Sequence, residues 1–169
     1  MSDSVRMSNV LPDLIAPNLR ILFTGTAVGS ASAQAGAYYA GPGNAFWPTL
    51  HAVGLTSRLL APSEYRTLLD YGIGLTDVCK VASGSDQELG GDRFDVPRFL
   101  ALVETNRPRI VASNGKRSAS VVLERPVGYG RQPDGLADAA VWVLPSTSAA
   151  ARGYWDLSVW QQLAVDARS

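Results

Sequence analysis

The chain has 169 residues, with fifteen Lys and Arg against fifteen Asp and Glu, so its formal net charge is zero. That length suits one compact domain that hides roughly two-thirds of its unfolded surface, and the balanced charge excludes a nucleic-acid binder held by bulk positive charge while leaving room for a local basic groove. A single cysteine, Cys79, and a single histidine, His51, exclude within one chain an internal disulfide, a zinc site built on cysteine pairs and an all-cysteine iron–sulfur cluster.

The polar start Met1–Asn9 does not read as a signal peptide, and no apolar run approaches the ~20 residues needed to span a bilayer. Residues 1–9 are expected as a flexible terminus and 10–169 as one domain, in the cytoplasm. Leu19–Gly25 reads as a buried strand that ends in glycine. A long loop rich in Gly, Ala and Ser is expected from Gly25 to Gly43, placed after a strand where open α/β sheets hold their ligands. Asn44 caps a predicted helix to Gly54, with Phe46, Leu50 and Val53 on one face and Pro48 in the first turn. Pro62–Asp70 reads as a short helix and Gly72–Val78 as a short strand, followed by a charged loop over 80–94. An amphipathic helix is expected over 95–106, a strand over Arg109–Ser113, a turn at Asn114–Gly115 and a helix over Lys116–Leu123. Ala139–Leu144 is the next strand, Pro145–Arg152 a loop, and a closing helix starts near Trp155. Strands alternating with helices predict an α/β fold, a three-layer αβα sandwich around a mostly parallel sheet.

Generic motifs are missing. There is no Gly-x-x-x-x-Gly-Lys-Ser/Thr phosphate loop, and Gly25-x-x-x-Gly29 lacks the dinucleotide spacing. No Gly-x-Ser-x-Gly elbow occurs, and His51, inside a helix with no evident nucleophile, reads as a packing or surface histidine. What remains is three loops rich in glycine and hydroxyls at strand ends. That pattern marks a ligand site and leaves the ligand open.

Read in order, those loops carry Leu11-Pro-Asp-Leu14, Gly25-Thr-Ala-Val-Gly29, Tyr39-Ala-Gly-Pro-Gly-Asn44-Ala-Phe-Trp47 and Tyr71-Gly-Ile-Gly-Leu-Thr-Asp77. Arg107-Pro-Arg-Ile-Val111, Asn114-Gly-Lys116 and Leu144-Pro-Ser-Thr-Ser148 follow. Their order and spacing over roughly residues 10–165 resemble the mismatch-specific uracil and thymine DNA glycosylases of the uracil-DNA glycosylase superfamily. The resemblance implies hydrolysis of the N-glycosidic bond of deoxyuridine in DNA, leaving an abasic site for base-excision repair. It implies a monomer acting on uracil-containing DNA, with no cofactor, metal, membrane or obligate protein partner.

The resemblance also distributes roles. Tyr39 stands where the family stacks an aromatic ring on the extruded pyrimidine, and Thr26, Ala27 and Asn44 come to the base with it. Ser146 and Ser148 belong to the motif that grips phosphates, with Lys116 and Arg152 as cationic contacts and Arg152 a candidate wedge. One departure matters. Ala27 stands where the family carries Asn or Asp to orient the attacking water, and alanine has no hydrogen-bonding side chain. Asp77 is the expected substitute, either reading the uracil edge or facing the sugar, and Ser30, with Thr26, Ser32 and Gln34, is a further candidate for holding the water. No lysine near the base pocket in these motifs clearly offers a Schiff-base nucleophile, which favours chemistry by water alone. The rival readings are a glycosylase for hypoxanthine, mismatched thymine or an oxidised pyrimidine, and a damaged-DNA-binding module that lost turnover with Ala27.

Overall fold

The computed structural model describes residues 11–80 and 94–169. The expected frayed terminus and most of the expected charged loop over 80–94 lie outside the described residues. Five strands form the sheet: β1 (Ile21–Gly25), β2 (Ile73–Asp77), β3 (Ile110–Asn114), β4 (Gly130–Arg131) and β5 (Ala140–Leu144), in the order β2-β1-β3-β5-β4. All pairings are parallel except β4 on β5.

Strand burial shows why helices cover both faces. Ile21 and Phe23 of β1, with Ile110 and Ala112 of β3, join one hydrophobic cluster, whereas Leu22 and Val111 between them join the other. Successive side chains of a strand point to opposite faces, so an unbroken apolar run demands cover on each side. The larger cluster packs under α2 (Phe46–Ala52), the 3-10 helix Pro62–Tyr71 and the closing helix α5 (Leu157–Arg168). There Phe23 meets Trp160 in a stacked pair and Phe46 edge-on. The smaller cluster packs under α3 (Val96–Asn106) and α4 (Lys116–Leu123), through Phe99, Val103 and Val122. The result is the expected three-layer αβα sandwich.

Local chemistry sets the helix starts. Asp95 accepts a hydrogen bond from the Arg98 N–H at 3.1 Å, and Asp156 one from the Ser158 N–H at 3.0 Å, each satisfying a donor orphaned by the first turn. Asn44 acts likewise, accepting from the Phe46 N–H at 3.0 Å. None of the helices among the described residues is long and apolar enough to cross a membrane.

Two expectations need correction, and one strand was not foreseen. The stretch from Gly25 to Gly43 is not loop throughout: Ser30–Ala35 forms a short helix, α1, closed by Gly36 in the left-handed region at φ 67°. The buried Ser32 hydroxyl accepts from the Ala40 N–H at 2.9 Å, folding the segment back on itself. Pro145–Arg152 likewise gives way to a 3-10 helix over Ala149–Tyr154. Strand β4, two residues long and antiparallel, has too little sequence to show a period.

Gly74 in β2 shows how tightly the sheet edge is closed. Leu14 makes an antiparallel bridge to Leu75, with both backbone bonds at 2.9 Å, covering part of the edge strand. A Cβ on Gly74 would stand 2.5 Å from both the Leu14 carbonyl oxygen and Leu19 Cδ1. Gly74→Ala therefore overpacks against backbone and is expected to cost about 1–3 kcal/mol, read as a lower urea midpoint at unchanged slope.

Candidate active site

Parallel pairing brings the carboxyl ends of β1, β2 and β3 to one side, with Gly25 opposite Asp77 and Thr24 opposite Ser113. Two further bonds continue the β1–β2 alignment past the strands: the Val78 N–H donates to the Gly25 carbonyl at 3.0 Å and the Cys79 N–H to the Thr26 carbonyl at 2.7 Å. The segment after β1 is thereby held against the segment after β2. A cleft of about 1080 Å³ opens here, at the strand ends where open α/β sheets bind ligands.

Of the candidate residues from the sequence, Thr26, Ala27, Ser30, Ser32, Tyr39, Asn44, Asp77, Lys116, Ser146 and Ser148 line this cleft, whereas Gln34 and Arg152 do not. Arg152 lies beside it, its guanidinium packed against Gly43 of the Gly41–Gly43 turn. A second hollow of about 480 Å³ sits at the opposite ends of β3 and β5, and none of these residues reaches it.

Asp77 is buried at 3% exposure and ends β2 at the cleft. Burial pushes its carboxyl up to about 6, against the pull of the Lys80 ammonium. Oδ2 meets Lys80 Nζ at 3.4 Å, whereas Oδ1 lies 3.2 Å from the point where a Cβ on Gly25 would stand. The Tyr39 hydroxyl lies 3.7 Å from that same point. Glycine at 25 thus keeps open the space between a carboxylate and a phenol, which a side chain would fill.

Tyr39 is held with its ring in the cleft wall and its backbone in the left-handed region, at φ 54°. Such a conformation is unfavourable for a bulky residue and is retained only where the surroundings impose it. Here the ring stacks on buried Phe46, centroids 4.0 Å apart at 25°. Its hydroxyl is enclosed next to the Asn114 amide and makes no hydrogen bond of good geometry among the described residues. Burial first, and then the Asp77 charge, raise the Tyr39 pKa, so the phenol stays protonated as a donor. The site therefore pairs an unpartnered donor with a buried carboxylate.

Behind Asp77 stands a cluster that sequence reasoning missed. It holds Lys80, which stands outside the quoted motifs, is 3% exposed and is in contact with Asp77. Lys80 Nζ donates to the Tyr38 hydroxyl at 2.8 Å and lies 3.4 Å from Asp13. The Asp13 carboxylate also accepts from Thr76 Oγ1 at 2.6 Å and from Arg98 Nη1 at 2.9 Å. Arg98 Nη2 in turn donates to the Asp77 backbone carbonyl at 2.6 Å. The only sequence signal was Lys80 three residues after Asp77 at a strand end. Lys80 does not line the cleft, and its ammonium is engaged by Tyr38, Asp77 and Asp13, so its place is behind the carboxylate.

The opposite wall is equally braced. Asn114 clamps Thr147 from both sides of its amide: Nδ2 donates to Thr147 Oγ1 at 2.9 Å, and Oδ1 accepts from the Thr147 N–H at 3.0 Å. The Thr147 carbonyl accepts from the Ala45 N–H at 2.9 Å, tying this loop to the start of α2. Ser146 Oγ accepts from the Ser148 N–H and donates to Ser148 Oγ, both at 3.2 Å. Lys116 opens α4 at the rim, exposed, beside the equally exposed Arg117. Ser30 opens α1 and is exposed at the cleft edge. His51 lies on α2 away from the cleft and is exposed, as its sequence context implied.

With this geometry in place, comparison with known proteins is direct. The solution NMR structure of a candidate uracil DNA glycosylase from Methanosarcina acetivorans superposes with a TM-score of 0.66 at 21% identity, covering 96% of this chain and 99% of that one. At that identity the likeness speaks for the fold. The sequence profile of the Uracil DNA glycosylase superfamily matches residues 12–164, which include the whole cleft, and the chain belongs to that superfamily of DNA glycosylases.

Proposed function

We propose that the protein is a monofunctional uracil-DNA glycosylase, and that Asp77 supports attack of water on the sugar. The observation that carries this reading is the buried Asp77 carboxylate across the Gly25 gap from the unpartnered Tyr39 hydroxyl. A glycosylase must take the base out of the stack, hold it, and stabilise an oxocarbenium-like sugar. The Tyr39 ring, backed by Phe46, offers an aromatic face to the base, and Thr26 and Ala27 line the pocket beside it.

In the proposed reaction the C1′–N1 bond breaks and its electron pair leaves with uracil. Water adds to C1′, and its proton passes to the Asp77 carboxylate. An ionised Asp77, itself buried, also stabilises the sugar cation. A carboxyl titrating near 6 is a serviceable base at neutral pH, since the best catalytic pKa lies close to working pH. Ala27 supplies no side-chain contact to the water, so Asp77 takes that part with Ser30 as a second polar group at the edge. Lys80 is held behind Asp77 by three partners and provides no free amine for a Schiff base, which leaves an uncut abasic strand as the product. Lys116, Arg152, Ser146 and Ser148 contact the DNA backbone around the extruded nucleotide.

The test is a panel of oligonucleotides carrying uracil opposite guanine, opposite adenine and unpaired, with hypoxanthine and thymine–guanine mismatches alongside, developed with alkali. Alkali-labile sites at uracil are expected, and no strand cleavage without alkali. Labile sites at hypoxanthine or mismatched thymine alone would reassign the base. Retarded uracil DNA that yields no labile site at stoichiometric protein would make the chain a damage-binding module.

A further inference from the structure

The exposed large hydrophobic side chains among the described residues are Leu59, Leu100, Tyr129, Tyr154 and Val165. The two aromatic ones, Tyr129 at 39% exposure and Tyr154 at 72%, both line the cleft that holds Asp77, and the three aliphatic ones do not. Scattered apolar side chains are ordinary on a protein surface, but two aromatic rings on the walls of one cleft form a shared surface.

The Tyr129 ring also comes with a cation in contact, and Tyr154 with one on its own helix. Lys116 Nζ lies 4.5 Å from the Tyr129 ring centroid, over one of its faces. Tyr154 ends the 3-10 helix that carries the exposed Arg152. Flat rings beside positive charges are the chemistry of single-stranded nucleic acid, where bases stack and phosphates pair. Cleft size points the same way. Its volume of about 1080 Å³ lies at the upper end of the ~300–1,000 Å³ typical of ligand pockets. One extruded base seated at Tyr39 leaves much of it unfilled.

We infer that Tyr129 and Tyr154 stack unpaired bases next to the extruded nucleotide, making the cleft a single-stranded DNA surface. In a duplex, neighbouring bases already stack on one another and present no free face. Unpaired strands therefore gain most from these rings. The inference rests on the DNA-directed reading of the cleft but not on any turnover in it.

The experiment measures binding of a fluorescein-labelled single-stranded oligonucleotide containing no damaged base, at one fixed salt concentration, by anisotropy. Wild type is compared with Tyr129→Ala, Tyr154→Ala and the two phenylalanine variants, with thermal melts to verify folding. Each alanine variant is expected to bind about 5- to 150-fold more weakly, the range set by stacking on one ring. Phenylalanine variants are expected to bind like wild type. The matching duplex is expected to lose less from either alanine substitution. Wild-type binding that alanine leaves intact overturns the inference. So does a loss on phenylalanine equal to that on alanine, because it assigns the contact to the hydroxyl, and so does failure of wild type to bind the strand. If ring-dependent binding appears but the oligonucleotide panel shows no base release, the glycosylase reading fails while the stacking surface stands.

Discussion

Asp77→Asn is expected to lower the single-turnover rate of uracil release by about 10²- to 10⁴-fold, the usual contribution of a positioned general base. The amide keeps the size and much of the polarity of the side chain, so folding and DNA binding should persist while proton acceptance is lost. Near-normal rates in this variant would remove the carboxylate from the step. The pH profile supplies an independent check. Burial holds the Asp77 carboxyl near 6, so the wild-type rate should climb with pH through that value and level off above it. The residual rate of the variant should not follow that limb.

The same shift carries a stability consequence of opposite sign. A carboxyl whose folded pKa is raised binds its proton more tightly in the folded state. Its contribution is fully present below the unfolded value near 4 and is lost as pH rises through about 6. Over that window wild type should lose on the order of 3 kcal/mol relative to Asp77→Asn, measured by denaturant titrations of both proteins at matched pH. A buried carboxylate kept at such cost accords with a working group.

Lys80→Met should have the largest effect on stability. Methionine roughly preserves the aliphatic stem but removes the charge that faces Asp77, and removing one partner of a buried pair typically costs about 3–5 kcal/mol. Asp13 retains Arg98 and Thr76, so Asp77 is the group left uncompensated. Adding Asp77→Asn to Lys80→Met should therefore restore much of the lost stability, and a double-mutant cycle measures the coupling. A purely steric role for Lys80 predicts additive losses instead. Activity gives a second readout. The Lys80 ammonium pulls the Asp77 carboxyl down, so without it the rising limb of the pH profile should move above 6. Lys80 acts through Asp77 and is a positioning residue.

Much of this arrangement was legible before any coordinates. The β1 run Leu19–Gly25, the helix beginning at Lys116 and the apolar face Phe46, Leu50 and Val53 follow from local periodicity and capping, and each holds in the structure. Loop motifs at successive strand ends singled out many of the residues that line the cleft, because parallel strands put their carboxyl ends on one side. Local signals also set the errors. Residues Ser30–Ala35 are small and polar, and their helix depends on Ser32 being buried against Ala40. Tyr129 and Tyr154 belong to none of the motifs, and only the fold brings both to the cleft.

The network behind Asp77 could not be read this way. Lys80 and its partner Tyr38 are 42 residues apart, and Asp13 and Arg98 are 85 apart. Their meeting depends on which strand lies beside which, in what register, and on the Leu14–Leu75 bridge at the edge of the sheet. Sequence by itself determined the layers, the strand ends and, through the motifs that carry the family resemblance, part of the cleft lining, since burial periodicity and short motifs are local. The tertiary structure decided the charge state and surroundings of the central carboxylate, since a pKa answers to desolvation and to charges within a few ångströms, however distant those groups lie along the chain. The zero net charge is a sum, and only the fold shows that one of its lysines is spent inside, against Asp77.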